Sequence, residues 1–298
     1  MRFGIIGIGA IGSLITTLFN KEEKKICIFT GKYPHQNLKK HGIKIKSKIY
    51  GNLELLPEDI DFSDDVNDFD VLIVSLKAAS LLSALEPFRL TKNNKCILAL
   101  QNGLGVREEI RKVTNCPLII GSIGNIEIFK RNNLDFIHSS FTRPQISLAS
   151  SEVALDKLSK ISSLLQELQI ETEIISNEKL VIWRKLVRLS SIGTLNAYLD
   201  KNLGEILSDA KAKKLLIQIV EELVEIAALE NISLDSSEIL NKIYSLPKEL
   251  ITSMARDLKI GNKSEIEFIL GNPIRLGHSR GLNLPIMTKC YKNLIRSI

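Results

Sequence analysis

The chain has 298 residues, 44% of them hydrophobic and 25% charged, with a net charge of +6. At roughly 100–200 residues per domain this is enough for two domains, and the balance excludes a disordered chain. Basic residues are scattered in short clusters such as Lys24-Lys25 and Lys39-Lys40, and aromatics make up only 5%, which argues against a nucleic-acid binder and fits a site for small anions.

In chain order, residues 3–6 read as a buried strand, 10–20 as a helix and 25–30 as a second strand. A strand pair follows over 43–49 and 52–56, around the turn at Tyr50-Gly51. Residues 69–75 and 96–101 are further apolar strands, each followed by a helix, near 80–88 and 106–113. This alternation predicts a doubly wound parallel sheet, the Rossmann arrangement. Strands over 117–125, 127–129, 136–139 and 145–149 are expected to extend that sheet. A helix opened by Ser150-Ser151, with Glu152 in its first turn, runs to about 168, and 171–175 is the last strand. From 177 onward the periodicity is helical throughout, over 179–198, 210–230, 236–245, 248–258, 264–280 and 285–295. The expected division is therefore a dinucleotide-binding domain over 1–176 and an all-helical substrate domain over 177–298.

Cys27, Cys96, Cys116 and Cys290 are widely spaced with no Cys-x-x-Cys, so they read as reduced thiols of a cytoplasmic protein without structural zinc. With only four histidines, no metal site is expected. The apolar start carries Gly4, Gly7, Gly9 and Gly12 and reads as a strand and turn, not a signal peptide. No apolar stretch reaches ~18 residues, so no membrane span is expected.

Gly7-Ile8-Gly9-Ala10-Ile11-Gly12 is G-x-G-x-x-G between a strand and a helix, the context that makes this motif a dinucleotide fingerprint. Gly7 allows the tight turn, Gly9 lets the backbone approach a pyrophosphate, and Gly12 lets helix pack on strand. The second strand ends Phe29-Thr30-Gly31-Lys32. An acidic residue there would bond an NAD ribose; here there is none, and cationic Lys32 favours NADPH unless it is only a solvated loop lysine. Asn102 lies just past a strand's C-terminal end, where open α/β sheets bind ligands, although a turn asparagine before Gly103 reads the same way. Lys77 also ends a strand. Lys185 sits within an apolar helical pattern, where a lysine either snorkels to solvent or is held with a shifted pKa.

Together these blocks resemble the ketopantoate reductase (2-dehydropantoate 2-reductase) family over nearly the whole chain. They are the fingerprint, Ser75-Leu76-Lys77-Ala78, Gln101-Asn102-Gly103-Leu104-Gly105, Trp183-Arg184-Lys185-Leu186, Ser253-Met254 and Ser264-Glu265-Ile266-Glu267. The resemblance implies a helical domain like that of 6-phosphogluconate dehydrogenases and NADPH-dependent reduction of ketopantoate to pantoate, a step of pantothenate biosynthesis. It places Lys77 near the nicotinamide ribose and Asn102 between cofactor and substrate. It makes Lys185 the general acid, with Ser253 and Glu265 binding substrate or orienting Lys185. The implied partner is a small 2-oxo acid, with neither nucleic acid nor membrane, and a homodimer is left open.

The chain departs from the family where two asparagines usually follow the lysine at four and eight residues. Those positions are Leu189 and Gly193, and Leu250 replaces a third asparagine three residues before Ser253. Steps of four stay on one helix face, so that face is expected to be more apolar and emptier. This opens two alternatives: a reductase of a more apolar 2-oxo acid, or an NADPH-binding sensor without turnover.

Overall fold

The computed structural model describes residues 1–29, 36–62, 69–86, 95–262 and 265–296. The chain divides into two compact units, 1–101 with 107–181 and 102–106 with 182–298.

In the first unit, β1 (Phe3–Ile6) leads into α1 (Ala10–Lys21) and β2 (Ile26–Phe29). After α2 (Gln36–His41) come the hairpin β3 (Ile43–Ser47) and β4 (Gly51–Leu55), then β5 (Asp61–Phe62). The following strands are β6 (Val71–Val74), β7 (Cys96–Ala99) and β8 (Leu118–Gly124), with α3 (Leu81–Leu85) and α4 (Val106–Arg111) after β6 and β7. The unit continues with β9 (Ile128–Asn132), β10 (Asp135–His138), β11 (Gln145–Ala149), α5 (Leu155–Glu167) and β12 (Glu171–Ile174).

The main sheet has the order β12-β11-β8-β7-β6-β1-β2-β5. Its β5-β2-β1-β6-β7-β8 part is parallel throughout, and the chain reverses direction across the sheet between β1 and β6. That reversal is the switch point at whose carboxyl ends such sheets bind ligands. β1, β6 and β7 are buried at every position, as strands covered on both faces must be.

The strands at 128–132 and 135–138 correct the sequence reading. They join the β3–β4 hairpin in a separate four-stranded sheet, β4-β3-β10-β9, and do not extend the main one. The reason lies in β3, whose residues alternate buried and exposed, the pattern of a sheet with one covered face. α1 packs against β3, β4 and β9 as well as β1 and β2, so Gly12 through Phe19 are all buried. The helix at 150–168 also begins later, at Leu155. Glu152 lies before it, accepts from Leu118 N at 2.8 Å and pairs with Arg107 and Arg111.

The second unit takes up most of α6 (Glu178–Leu199). It continues with α7 (Leu203–Ser208), α8 (Ala210–Ala228), α9 (Ser236–Tyr244), α10 (Ser253–Lys259), a π-helical turn (Glu267–Gly271), α11 (Asn272–Ser279) and α12 (Pro285–Arg296). Caps explain the boundaries. Asn202 and Glu205 form a capping box on α7, and Asp209 and Asp235 cap α8 and α9. Fully buried Trp183 anchors α6 by donating from Nε1 to Glu230 Oε2 at 2.8 Å. The helix expected over 248–258 starts at Ser253, because Thr252 caps it.

Among the described residues, no helix is long and apolar enough to cross a membrane. The four cysteines form no disulfide.

Candidate active site

At the β1–α1 turn each glycine of the fingerprint has a separate steric task. Gly7 takes φ +101°, and a Cβ there would lie 2.7 Å from Leu76 N. A Cβ on Gly12 would stand 1.9 Å from the Gly7 carbonyl oxygen and 2.6 Å from Ser75 Oγ. Gly9 is exposed, and a Cβ there would meet nothing within 4 Å. The turn therefore closes tightly on its protein side and stays open in front of α1.

Helix geometry leaves the first N–H groups of α1 without intrahelical partners. Gly9 gives no side-chain cap, and the first turn carries no acidic residue. Open space, unclaimed donors and a positive dipole end fit a dinucleotide pyrophosphate. Residues 7–12 would hold it, and Ile8, Ala10 and Ile11 are half-buried beside the glycines.

Neighbouring strand ends fix this turn. Ser75 Oγ donates to Gly7 O at 2.6 Å, and its backbone N to Ile6 O at 3.0 Å. Gln101 Nε2 donates to Val74 O and Leu76 O at 2.8 and 2.9 Å, holding the segment that leads to half-buried Lys77. The bracing role of Gln101 was missed in the sequence. Its signal was a polar side chain ending an otherwise apolar strand. Lys32 and Ser264 lie outside the described residues.

The second unit holds a different set, in which Lys185 and Glu265 interact. Lys185 lies on α6, and burial pushes its ammonium pKa down to about 8, Arg188 one turn on adds to the shift, and the Glu265 carboxylate opposes it. Glu265 is itself buried, at 7% exposure. A partly desolvated lysine with a nearby carboxylate and a pKa lowered to about 8 can donate a proton near neutral pH. Asn102 Oδ1 is buried and accepts no hydrogen bond from the described residues, and an orphaned buried acceptor of this kind calls for a ligand donor. Ser253 is exposed at the start of α10, whereas its neighbours Thr252 and Met254 are buried.

The α6 face that follows Lys185 is apolar at half-buried Leu189, but it is not empty. A Cβ on buried Gly193 would lie 2.9 Å from Thr252 Oγ1 and 3.0 Å from Met254 Cε. The start of α10 fills the space that a side chain at Gly193 would need. Asn196 fastens that approach, accepting from Thr252 N at 3.0 Å and donating to Lys201 O at 2.8 Å. Asn196 is 3% exposed and was overlooked in the sequence because its role depends on a contact more than fifty residues away.

Comparison with known proteins identifies the family. Residues 3–150 match the family model "Ketopantoate reductase PanE/ApbA", and residues 177–296 match "Ketopantoate reductase PanE/ApbA C terminal". The chain belongs to the ketopantoate reductase family. Among its relatives, a 2-dehydropantoate 2-reductase of Nostoc sp. is 27% identical, with 98% of this chain and 94% of that protein aligned. In fold it is similar to the 2-dehydropantoate 2-reductase of Geobacter metallireducens, at a TM-score of 0.87 and 19% identity, covering 100% of both chains. It is equally similar to a D-mandelate dehydrogenase solved with NADH and anilino(oxo)acetate, at 0.87 and 23% identity, covering 99% of this chain and 98% of that one. The chain is thus an oxidoreductase-family member with a Rossmann-like α/β domain and a helical C-terminal domain.

Proposed function

We propose that the protein reduces a 2-oxo acid to the 2-hydroxy acid with NADPH, and that Lys185 is the proton donor. The observation that supports this most strongly is Lys185, half-buried on α6, with the Glu265 carboxylate acting on its ammonium and desolvation lowering its pKa to about 8. When bound, the dinucleotide supplies a hydride to the carbonyl carbon. The carbonyl oxygen becomes an alkoxide, and the Lys185 ammonium stabilises that charge and transfers one proton to it. The Asn102 side chain hydrogen-bonds substrate or cofactor, Ser253 meets the substrate's carboxylate end, and Glu265 meets its hydroxyl end or orients Lys185. Residues 7–12, Lys32 and Lys77 serve the cofactor. In this reading the functional domains are 1–176 and 177–298. A homodimer is the proposed assembly, by likeness to a dimeric ketopantoate reductase of Staphylococcus aureus.

The family's namesake substrate, ketopantoate, is the default. A second reading, a less polar 2-oxo acid, is favoured by Leu189 and by the space at Gly193 taken up by Thr252 and Met254.

Titration with both cofactors, followed by turnover of ketopantoate against aliphatic and aryl 2-oxo acids, tests the proposal. The expected result is NADPH binding about tenfold tighter than NADH, ~1.4 kcal/mol, with turnover of at least one 2-oxo acid. Equal cofactor affinity removes the argument from Lys32. Tight NADPH binding without any turnover makes the protein a sensor.

A further inference from the structure

The loop after Asn102 is tied to the π-helical turn and to the start of α11 by both backbone groups of one residue. Leu104 N donates to Phe268 O at 2.8 Å, and Leu104 O accepts from Asn272 Nδ2 at 2.6 Å. Both partners belong to the second unit, as does the loop itself.

Two glycines with positive φ make this approach feasible. At Gly103 (φ +104°) a Cβ would lie 2.6 Å from both Phe268 Cβ and its carbonyl oxygen. At Gly105 (φ +96°) it would lie 2.6 Å from Asn272 Nδ2. Any side chain at either position would push the loop off the turn. A π turn loosens the regular helical ladder, and here the Phe268 carbonyl reaches Leu104.

Asn272 is held in its own orientation. Arg275 Nη2 donates to Asn272 Oδ1 at 2.6 Å and to Glu267 Oε2 at 2.7 Å, and Tyr291 Oη donates to Glu267 Oε1. A guanidinium only donates, so the amide oxygen must face Arg275 and the amide nitrogen must face Leu104. Glu265 lies just ahead of the turn and is tied to it, its carbonyl accepting from Phe268 N and Ile269 N at 3.1 and 3.0 Å.

We propose that Asn272 is a positioning residue, which holds Leu104, and through it Asn102, in a fixed relation to Glu265. The orphaned Asn102 Oδ1 is thereby aimed before any ligand arrives. This rests on the reading of Asn102 and Glu265 as substrate-contacting groups.

Asn272→Asp in the full chain keeps size and the Arg275 contact but loses the donor to Leu104. Asn272→Ala, which removes both amide atoms, is the second variant. Two readouts apply: hydrogen exchange at the Leu104 amide, and steady-state kinetics with the 2-oxo acid turned over best. Loss of one such bond should speed Leu104 exchange and raise KM for the oxo acid about tenfold each. The kcat should change far less, while dinucleotide Kd and Tm stay as in the natural protein. Unchanged exchange and KM overturn the proposal. So does a loss spread equally over KM, dinucleotide Kd and Tm, which marks a merely structural role. If the natural protein turns over no oxo acid, the functional reading fails separately, and Leu104 exchange alone decides whether Asn272 holds the loop.

Discussion

At the β1–α1 turn the first unit works with backbone alone: Gly9 leaves space, Gly12 clears the Gly7 carbonyl, and α1 offers its first amides. On α6 and beside the π-helical turn, the second unit presents side-chain groups partly or wholly withdrawn from water: half-buried Lys185, buried Glu265 and the buried Asn102 oxygen. Backbone geometry binds a phosphate with little desolvation of protein charge. A desolvated ammonium is costly to hold, and in the proposed reaction it provides a proton near neutral pH. The difference predicts that substitutions in the two regions fail differently: the first loses dinucleotide affinity or fold, the second loses reaction with the oxo acid, through kcat or KM.

The largest expected effect belongs to Lys185. Lys185→Ala should lower kcat by roughly 10²–10⁴-fold, the usual worth of a positioned acid–base group, while NADPH titration stays near the natural value. Lys185→Arg should restore little, since arginine does not release its proton. Near-normal turnover in Lys185→Ala would erase the contrast between the units.

Next comes a pair within the fingerprint. Gly12→Ala forces a Cβ to 1.9 Å from backbone and should destabilise the protein by about 1–3 kcal/mol, as overpacking does, read as a lower Tm. Gly9→Ala meets open space, so Tm should hold while dinucleotide affinity falls. Equal Tm losses in both variants would mean that Gly9 has a structural task and not a binding one.

The smallest effect is expected at Gly193. Gly193→Ala presses on Met254 Cε, the end of a flexible side chain, and on Thr252 Oγ1, the cap of α10, and should cost about 1 kcal/mol, the low end of overpacking. Gly193→Asn paired with Leu189→Asn should accordingly fail to improve turnover of ketopantoate. A clear gain would show that α10 yields easily and that the face is open to substrate after all.

How far each region could be read from the sequence follows the same contrast. The fingerprint was legible because glycine reports backbone constraint at its own position, and the strand–helix alternation fixed the parallel sheet around it. The second sheet was not, since β9 and β10 carry no mark of which partner they choose, and only the alternation in β3 hinted at a covered face. In the helical unit the sequence flagged Lys185 but left snorkelling open, because burial is set by distant segments. Asn196, Asn272 and the filling of Gly193 depend on contacts across tens of residues and had no local signal. The capping box Asn202-x-x-Glu205 was a local signal for α7 that the periodicity obscured.

The central claim is that Lys185 donates the proton, and the pH dependence of kcat/KM for oxo-acid reduction tests it most directly. A donor must be protonated to act, and kcat/KM reports the ionisation of the free enzyme. With the ammonium shifted down to about 8, kcat/KM should be level below that pH and fall tenfold per pH unit above it. The residual activity of Lys185→Ala should lack that decline. A natural protein whose kcat/KM stays level to pH 10, or a Lys185→Ala variant with the same decline, would contradict the assignment.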